Sequence, residues 1–408
     1  MRCRSLISML FGVAVLPFFS FAANSAPTIT PVIPQQDAAD NCYKIGTAAE
    51  LYGFAKMVNE KKNSNEICAK LTQDIKVNDN VLKDGALNGD GSNFIPWTPI
   101  GWCSDGETDD GISFRGEFHG QGHTISGLYF NDSTKSCIGL IGAAAGLTVV
   151  DSVGLLDSYF NGNGDVGGLV GTAEMLTITN SYNMGTMGGY EKVGGLVGNP
   201  WLSLTITNSY NTGSVSGYWY IGGLAGSGEE PVVSGSYNMG AVSGEESVGG
   251  LVGGVEGDGN DNDLEVINSY NVGVVTGLNG EAEKCLNVGG LVGRVEAVGT
   301  TVVRGSYNTG TVTVSSRNKC EDIGGLVGKN DGLLIIRSSY NEGYVGDRNV
   351  NYVGGLVGYA NDSLNVFNSY NAGVLEGNTT MIGYFAGGGG CRKSYYRQFV
   401  QHGMCDLE

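Results

Sequence analysis

The most regular candidate for chemistry in this sequence is a set of tyrosines, each at the centre of a Ser-Tyr-Asn phrase. Rings with apolar faces and a polar tip suit stacking against a sugar or contact with a protein partner, so an outward-facing column would be a candidate binding surface. A column packed at a corner would instead be structural. The turn before each phrase leaves the direction open, and we favour the structural role. The set is Tyr182, Tyr210, Tyr237, Tyr270, Tyr307, Tyr340 and Tyr370.

The asparagine after each of these tyrosines is predicted to form a hydrogen-bonded ladder at a turn rather than a site. A separate oxygen-rich insertion carries Asp258, Asn260 and Asn262 at a spacing that could ligate calcium. It lacks the glycine at the sixth place and the acidic residue at the twelfth place of an EF-hand. We therefore expect ordinary turn chemistry there and no cofactor, with calcium as the alternative.

Catalytic signatures are sparse. His119 and His123 are four residues apart, but the intervening Gly120-Gln121-Gly122 disfavours a helix, so a turn between strands is expected. The sequence contains neither H-E-x-x-H nor G-x-S-x-G. Arg304 and Arg337, with Glu265 in the preceding unit, give a weak version of the charged clusters found in glycan-cleaving β-helices. We favour the interpretation that they are ordinary solvent-facing charges on neighbouring coils. We predict that the protein is not an enzyme.

A second phrase, x-G-G-L-x-G, alternates strictly with Ser-Tyr-Asn, and where insertions are absent the unit is 27 or 28 residues long. Such self-similarity is typical of a repeat architecture. The complete copies begin at Val166, Val193, Ile221, Val248, Val288, Ile323 and Val353, and imperfect copies begin at Ile138 and Ile382.

Aligned repeats show columns of one chemical type. The column containing Ile178 and Val233 is aliphatic and β-branched throughout, whereas the next position is mixed and includes both arginines, which indicates a strand with one buried face. A second buried column contains Met187 and Val215. Three short strands and three turns would form one triangular coil, and coils must stack to bury their apolar faces. We predict an all-β, right-handed parallel β-helix (β-solenoid) of about nine triangular coils.

The chain divides into five predicted segments. Residues 1-22 have the basic start, apolar run and small residues of a signal peptide. Residues 23-41 form a proline-containing linker, and 42-137 form a capping region with one short helix that starts in a Thr47–Glu50 capping box and ends near Asn59. The solenoid repeats occupy 138-387, and 388-408 form a tail that caps the last coil.

Nine cysteines are present, and removal of the signal would leave an even number, which predicts disulfides in an oxidising compartment. Cys285 and Cys320 occupy equivalent places in adjacent coils, so stacking would bring them within bonding reach. Proximity along the chain suggests the remaining pairs, which are Cys42 with Cys68, Cys103 with Cys137, and Cys391 with Cys405.

The formal net charge of −18 argues against nucleic acid as a partner, because phosphate binding requires clustered Lys and Arg. No segment after the signal is long and apolar enough to span a membrane. The expected partners are therefore extracellular glycan or protein surfaces.

The two repeated phrases together resemble the GLUG-motif repeat family of bacterial secreted and surface proteins. The segments Trp97–Gly101 and Gly116–Ile125 resemble the sequence that commonly precedes such repeats. The resemblance implies a non-catalytic repeat region. We predict a secreted or cell-surface bacterial protein that acts as an adhesive or structural binding module, with a glycan-binding or glycan-degrading β-helix as the alternative.

Overall fold

The computed structural model describes residues 27–60, 66–104, 111–256, 263–278, 285–296, 299–315, 320–348, 350–377, 382–383, 385–388 and 395–397. Over these residues the fold is an all-β, right-handed parallel β-solenoid of about ten turns, with one short helix in its N-terminal region. The predicted fold class and the approximate number of coils are confirmed. No helix in the described ranges is long and apolar enough to cross a membrane.

Two sheets carry the residues that precede and contain the Ser-Tyr-Asn phrase. The strands of the first, the long sheet, are Tyr43–Ile45, Ile67–Leu71, Phe114–His119, Ile141–Asp151, Val170–Thr179, Val197–Thr207, Pro231–Ser234, Leu264–Ile267, Thr300–Arg304, Leu333–Arg337, Leu364–Phe367 and Tyr395–Arg397. The strands of the second, the tyrosine sheet, are Ile75–Lys76, Thr124–Ser126, Gly154–Leu156, Tyr182–Asn183, Tyr210–Asn211, Tyr237–Asn238, Tyr270–Asn271, Tyr307–Asn308, Tyr340–Asn341 and Tyr370–Asn371.

Two further sheets follow along each coil. The valine sheet contains Tyr129–Asn131, Tyr159–Asn161, Thr186–Gly188, Val215–Ser216, Val242–Gly244, Val275–Gly277, Val312–Val314, Val345–Gly346 and Leu375–Glu376. The glycine sheet contains Gly164–Gly167, Glu191–Gly194, Trp219–Gly222, Glu246–Gly249, Cys285–Gly289, Cys320–Gly324, Val350–Gly354 and Ile382–Gly383.

The remaining strands form one more sheet and a hairpin. The fifth sheet contains Val252–Val255, Val292–Val295, Val327–Asn330, Val357–Ala360 and Ala386–Gly388, and an antiparallel hairpin joins Leu82–Lys83 to Ala86–Leu87.

Strands of successive coils pair in parallel and in register, so each residue lies on its equivalent. Ile206 pairs with Val233, and Val215 pairs with Val242. The predicted inward columns are accordingly buried over most of the rod, and Val233 and Val242 have no exposed surface. These columns join the leucines of the x-G-G-L-x-G phrase in one continuous apolar core.

Each coil has more strand segments than the three expected, because the x-G-G-L-x-G phrase spans a bend. Glu246–Gly249 ends at the first glycine of its phrase, and Val252–Val255 begins just after the leucine. At the second glycine, Gly250, a Cβ atom would lie 2.1 Å from the carbonyl oxygen of Gly290 and 2.5 Å from Cγ of Asn271. Only glycine fits where the two backbones and an amide side chain approach so closely.

The helix covers Ala48–Glu60 and begins in the predicted capping box. The backbone N–H of Glu50 donates to Oγ1 of Thr47, while the Glu50 carboxylate accepts from the N–H of Gly46. The apolar face of the helix packs into the same core, with the ring of Phe54 6.2 Å from that of Phe114.

The region from 42 to 137 is continuous with the solenoid, because its strands belong to the same sheets. Ile67–Leu71 pairs with Phe114–His119, which pairs with Ile141–Asp151. The linker is also attached in part, since the N–H of Val32 donates to the carbonyl oxygen of Ala49 at 2.8 Å. The predicted signal peptide, residues 1-22, lies outside the described residues.

Two predicted disulfides are present, Cys42–Cys68 and Cys103–Cys137. Cys320 is disulfide-bonded, and the strand register places Cys285 directly opposite it, in agreement with the predicted pairing. The side chain of Cys285, and the whole of Cys391 and Cys405, lie outside the described residues.

The serine and asparagine side chains of the Ser-Tyr-Asn phrase face inward, and the asparagines form the predicted hydrogen-bonded ladder. Asn271 donates from Nδ2 to Oδ1 of Asn308 at 2.8 Å, and Asn308 donates in turn to Asn341 at 2.8 Å and to the carbonyl oxygen of Gly310 at 2.8 Å. These asparagines are fully buried. An amide is both donor and acceptor, so one residue type satisfies itself along the column.

We expect Asn308→Ala to lower the free energy of unfolding by about 3 kcal/mol or more, because a buried group left without a partner costs about 1–3 kcal/mol and three hydrogen bonds are lost. Urea unfolding measures the change. Thr309→Ala, at the exposed neighbouring position, is the matched control and should change stability by less than about 0.5 kcal/mol. Equal losses in the two variants would contradict a stabilising ladder.

Candidate functional site

The tyrosines of the repeated phrase face outward and stack into a ladder. Ser209 and Asn211 are fully buried on either side of Tyr210, which places its ring on the outer face of the tyrosine sheet. Neighbouring ring centroids along the ladder are 4.8–5.2 Å apart, with planes within 4° of parallel. The corner packing that we favoured from sequence is therefore not what the structure shows.

The rings pack on each other, so most are half-buried, and Tyr370 at the end of the ladder is 48% exposed. Burial between neighbouring rings raises the pKa of Tyr210, and the adjacent Tyr182 and Tyr237 add to the shift. Tyr210 is therefore neutral over the physiological pH range.

Apolar side chains extend the same face beyond the rings. Met184, Met239 and Val272 are each the second residue after a ladder tyrosine, and they are 47%, 52% and 42% exposed. Val274 adds another exposed aliphatic group beside them. A repeated strip of exposed apolar groups is typical of an interaction surface.

A second exposed aromatic group, which sequence analysis missed, lies at the turn into the glycine sheet. The rings of Tyr190 and Tyr218 are 4.9 Å apart, and those of Tyr190 and Trp219 are 5.1 Å apart. In the strand register Trp219 lies between Glu191 and Glu246. The sequence signal that could have revealed this group is the spacing of Tyr190 and Tyr218, which are 28 residues, or one repeat unit, apart. The signal is weak because only two units carry it.

Charged side chains outside the predicted site form an ion-pair network beside the glycine sheet. Arg294 contacts Glu246 at 3.5 Å, Asp331 at 4.0 Å and Glu296. Lys329 also contacts Asp331, at 3.3 Å. All of these side chains are at least about two-thirds buried, so the network is better shielded from solvent than ordinary surface pairs.

Asp322 lies beside this network, Asp165 occupies the equivalent position in an earlier coil, and the pKa of each carboxyl group is raised. Burial raises the pKa of Asp322 to about 6, an effect that Lys329 partly offsets. Burial also raises the pKa of Asp165 to about 6, with Lys192 opposing the shift. The two aspartates lie several coils apart, so they do not form one catalytic pair.

Of the weaker sequence candidates, the two arginines alone are brought together among the described residues. Arg304 and Arg337 are paired in register and exposed, and the guanidinium of Arg337 lies 4.7 Å from the ring of Phe367. Among the described residues no ion pair joins Glu265 to either arginine. The predicted calcium candidates Asp258, Asn260 and Asn262 lie outside the described residues.

The two histidines flank a turn between strands, as predicted. His119 ends the strand Phe114–His119, and His123 directly precedes Thr124–Ser126. Between them Gln121 and Gly122 adopt positive φ values of 52° and 82°. His119 contacts Glu117 and Asp151, whereas His123 lies 3.4 Å from Asp74.

The fold and its repeated outward columns define a parallel β-solenoid repeat protein. No family model matches the chain, so membership of the GLUG-motif family stays a prediction. A segment of 179 residues, 44% of this chain, is 30% identical to halomucin of Haloquadratum walsbyi. The match spans 2% of the length of halomucin.

A crystal structure of a "putative immunoglobulin A1 protease" from Bacteroides ovatus aligns with 84% of this chain and 79% of its own, at 15% identity and a TM-score of 0.36. We draw no functional conclusion from this similarity.

We expect Asp322→Asn to stabilise the protein at pH 8 by about 1–2 kcal/mol, less than a full two-unit pKa shift would give because the group is partly exposed and pairs with Lys329. Because the carboxyl pKa is raised in the folded state, the group ionises near pH 4 in the unfolded chain but only near pH 6 in the folded protein. The folded state therefore loses stability as pH rises from about 4 to about 6. Asparagine cannot ionise, so the gain should vanish at pH 3.

Chemical unfolding at pH 3 and pH 8 measures this difference, with Asp362→Asn at an exposed position as control. An Asp322→Asn effect of the same size at both pH values would show that burial of the charge is not its cause.

Proposed function

We propose that this protein is an exported bacterial repeat protein that binds extracellular surfaces without catalysis, as an adhesive or structural module. The observation that carries the proposal is the tyrosine ladder, which presents seven equivalent rings in one straight row. The disulfides Cys42–Cys68 and Cys103–Cys137 support an oxidising location. The resemblance to the GLUG-motif family supports the bacterial surface assignment.

The ladder suits a partner with its own repeated groups. Each ring offers a small contact, but the rings are held on a rigid sheet, so ordering them on binding costs little. Once one ring is engaged, the next contacts occur at high effective concentration, and weak contacts combine into strong binding. The proposed partner is an extended protein or glycan surface that lies along the rod.

We expect the double variant Tyr237→Ala/Tyr270→Ala to lose at least tenfold in affinity for an extracellular ligand, because it removes two central rings and divides the ladder into two shorter parts. Binding is measured on an array of matrix proteins and bacterial, plant and host glycans. Circular dichroism must show that the variant remains folded, since losing ring stacking costs about 0.5–1.5 kcal/mol per pair.

The matched variant Tyr237→Phe/Tyr270→Phe preserves the stack and removes only two hydroxyl groups, so it should bind within a few-fold of wild type. Full binding by a folded alanine variant would exclude the ladder as the binding surface.

A second candidate function, glycan binding, is favoured by the separate group of Tyr190, Tyr218 and Trp219. Their rings are 41%, 41% and 39% exposed, which leaves apolar surface open to the face of a sugar ring. The register neighbours of Trp219, Glu191 and Glu246, supply carboxylates that can accept hydrogen bonds from sugar hydroxyls. The excess of acidic groups favours a neutral or cationic glycan over an anionic one.

If this group binds glycan, Trp219→Ala should abolish binding of neutral polysaccharide while leaving the tyrosine ladder intact. Isothermal titration with polysaccharide provides the measurement, because it does not depend on the indole that the variant removes. Trp201→Ala, at an exposed position that is not part of the group, is the control. Trp201→Ala should bind as wild type does, and undiminished binding by a folded Trp219→Ala variant would contradict the assignment.

A further inference from the structure

Three potential metal ligands converge near the N-terminal end of the rod. Cys68 lies on Ile67–Leu71, and Glu117 and His119 lie on the adjacent strand Phe114–His119, with Cys68 opposite Glu117 in the register. One ligand atom from each residue lies within 4.8 Å of the other two. This cluster takes no part in the surfaces described above.

Asp151 orients the histidine for such a role. Nδ1 of His119 contacts the carboxylate of Asp151, and Nε2 is directed to Glu117 at 2.9 Å. A carboxylate on one ring nitrogen is the arrangement that fixes the tautomer of zinc-binding histidines, and Nε2, which faces Glu117, is the nitrogen that would ligate. The nearby cation Lys70 is held by Asp37 and Asp40 at 2.8 and 2.6 Å, which offsets its charge.

The cluster is accessible from solvent. A cavity of about 460 Å³ borders Cys68 and Glu117, and polar side chains such as Tyr43 and Glu66 line it. Two of the three potential ligands, Cys68 and Glu117, therefore border space that is open to solvent.

We propose that Cys68, Glu117 and His119 form a zinc site that the Cys42–Cys68 disulfide controls. In the disulfide, the sulfur of Cys68 is bonded to Cys42 and carries no charge. As a thiolate it would join a carboxylate oxygen and an imidazole nitrogen in a three-ligand set that zinc accepts. Tetrahedral coordination needs ligand atoms about 3.3–3.6 Å apart, which requires only side-chain adjustment from the present spacing.

The redox step is thiol–disulfide exchange with a dithiol reductant. Two electrons pass to the Cys42–Cys68 bond, which becomes two thiols, and the dithiol becomes a disulfide. On binding zinc, the reduced Cys68 would ligate as a thiolate, and its proton would pass to solvent.

Cys42→Ser tests the site without a reductant, because it leaves Cys68 as a free thiol. We expect this variant to bind one Zn²⁺ at least 100-fold more tightly than the disulfide-bonded wild type, by isothermal titration. Co²⁺ in place of Zn²⁺ should give the ultraviolet absorption band of a thiolate–cobalt bond. Adding Glu117→Gln or His119→Gln to Cys42→Ser should weaken Zn²⁺ binding at least tenfold.

The control is Cys42→Ser/Cys68→Ser, which lacks the same disulfide and therefore shares any loss of stability, but has no thiol at the cluster. Its binding should match that of the oxidised wild type. The proposal is overturned if the control binds Zn²⁺ as tightly as Cys42→Ser, or if Cys42→Ser binds no more tightly than wild type. A cobalt complex without the thiolate band would overturn it as well.

Discussion

Parallel, in-register stacking of coils places every residue about one strand spacing from its equivalents above and below. Each side chain must therefore tolerate a copy of itself as a neighbour. Aliphatic residues do so by packing, buried asparagines by pairing an amide donor with the next amide acceptor, and tyrosines by stacking. Like charges repel, so the column that contains Asp165 changes to Lys192 and then to Tyr220 in successive coils, whereas the stacked Arg304 and Arg337 are exposed to solvent.

The same constraint couples the two repeated phrases. At the second glycine of the x-G-G-L-x-G phrase a Cβ atom would collide with the inward asparagine of the same coil, as at Gly223, where Cγ of Asn238 would be 2.4 Å away. The asparagine ladder thus fills space that only glycine leaves open. Strict alternation of the phrases follows, because losing either residue from a coil leaves a clash or an unpaired amide.

The sequence is sufficient to predict the features that recur in every coil, namely the buried columns and the solenoid that they build. It also predicts the capping box of the helix, because Thr47 and Glu50 are only three residues apart. The outward direction of the tyrosine side chains could not be predicted in this way. Asn208, with a φ of 49°, interrupts the alternation between the buried Ile206 and the buried Ser209. A left-handed residue at this place shifts the alternation by one and leaves Tyr210 outward.

Groups that occur once depend on register between distant segments, and sequence gives no local signal for them. Cys68 and Glu117 become neighbours only because the strands Ile67–Leu71 and Phe114–His119 pair across a long connection. Trp219 lies between two carboxylates only because three coils align. Regular columns therefore explain how the rod is built and how it can bind by repetition, whereas selective chemistry must arise where a column changes residue type. For that reason the ladder suits avidity, and the irregular clusters suit recognition of a single ligand or ion.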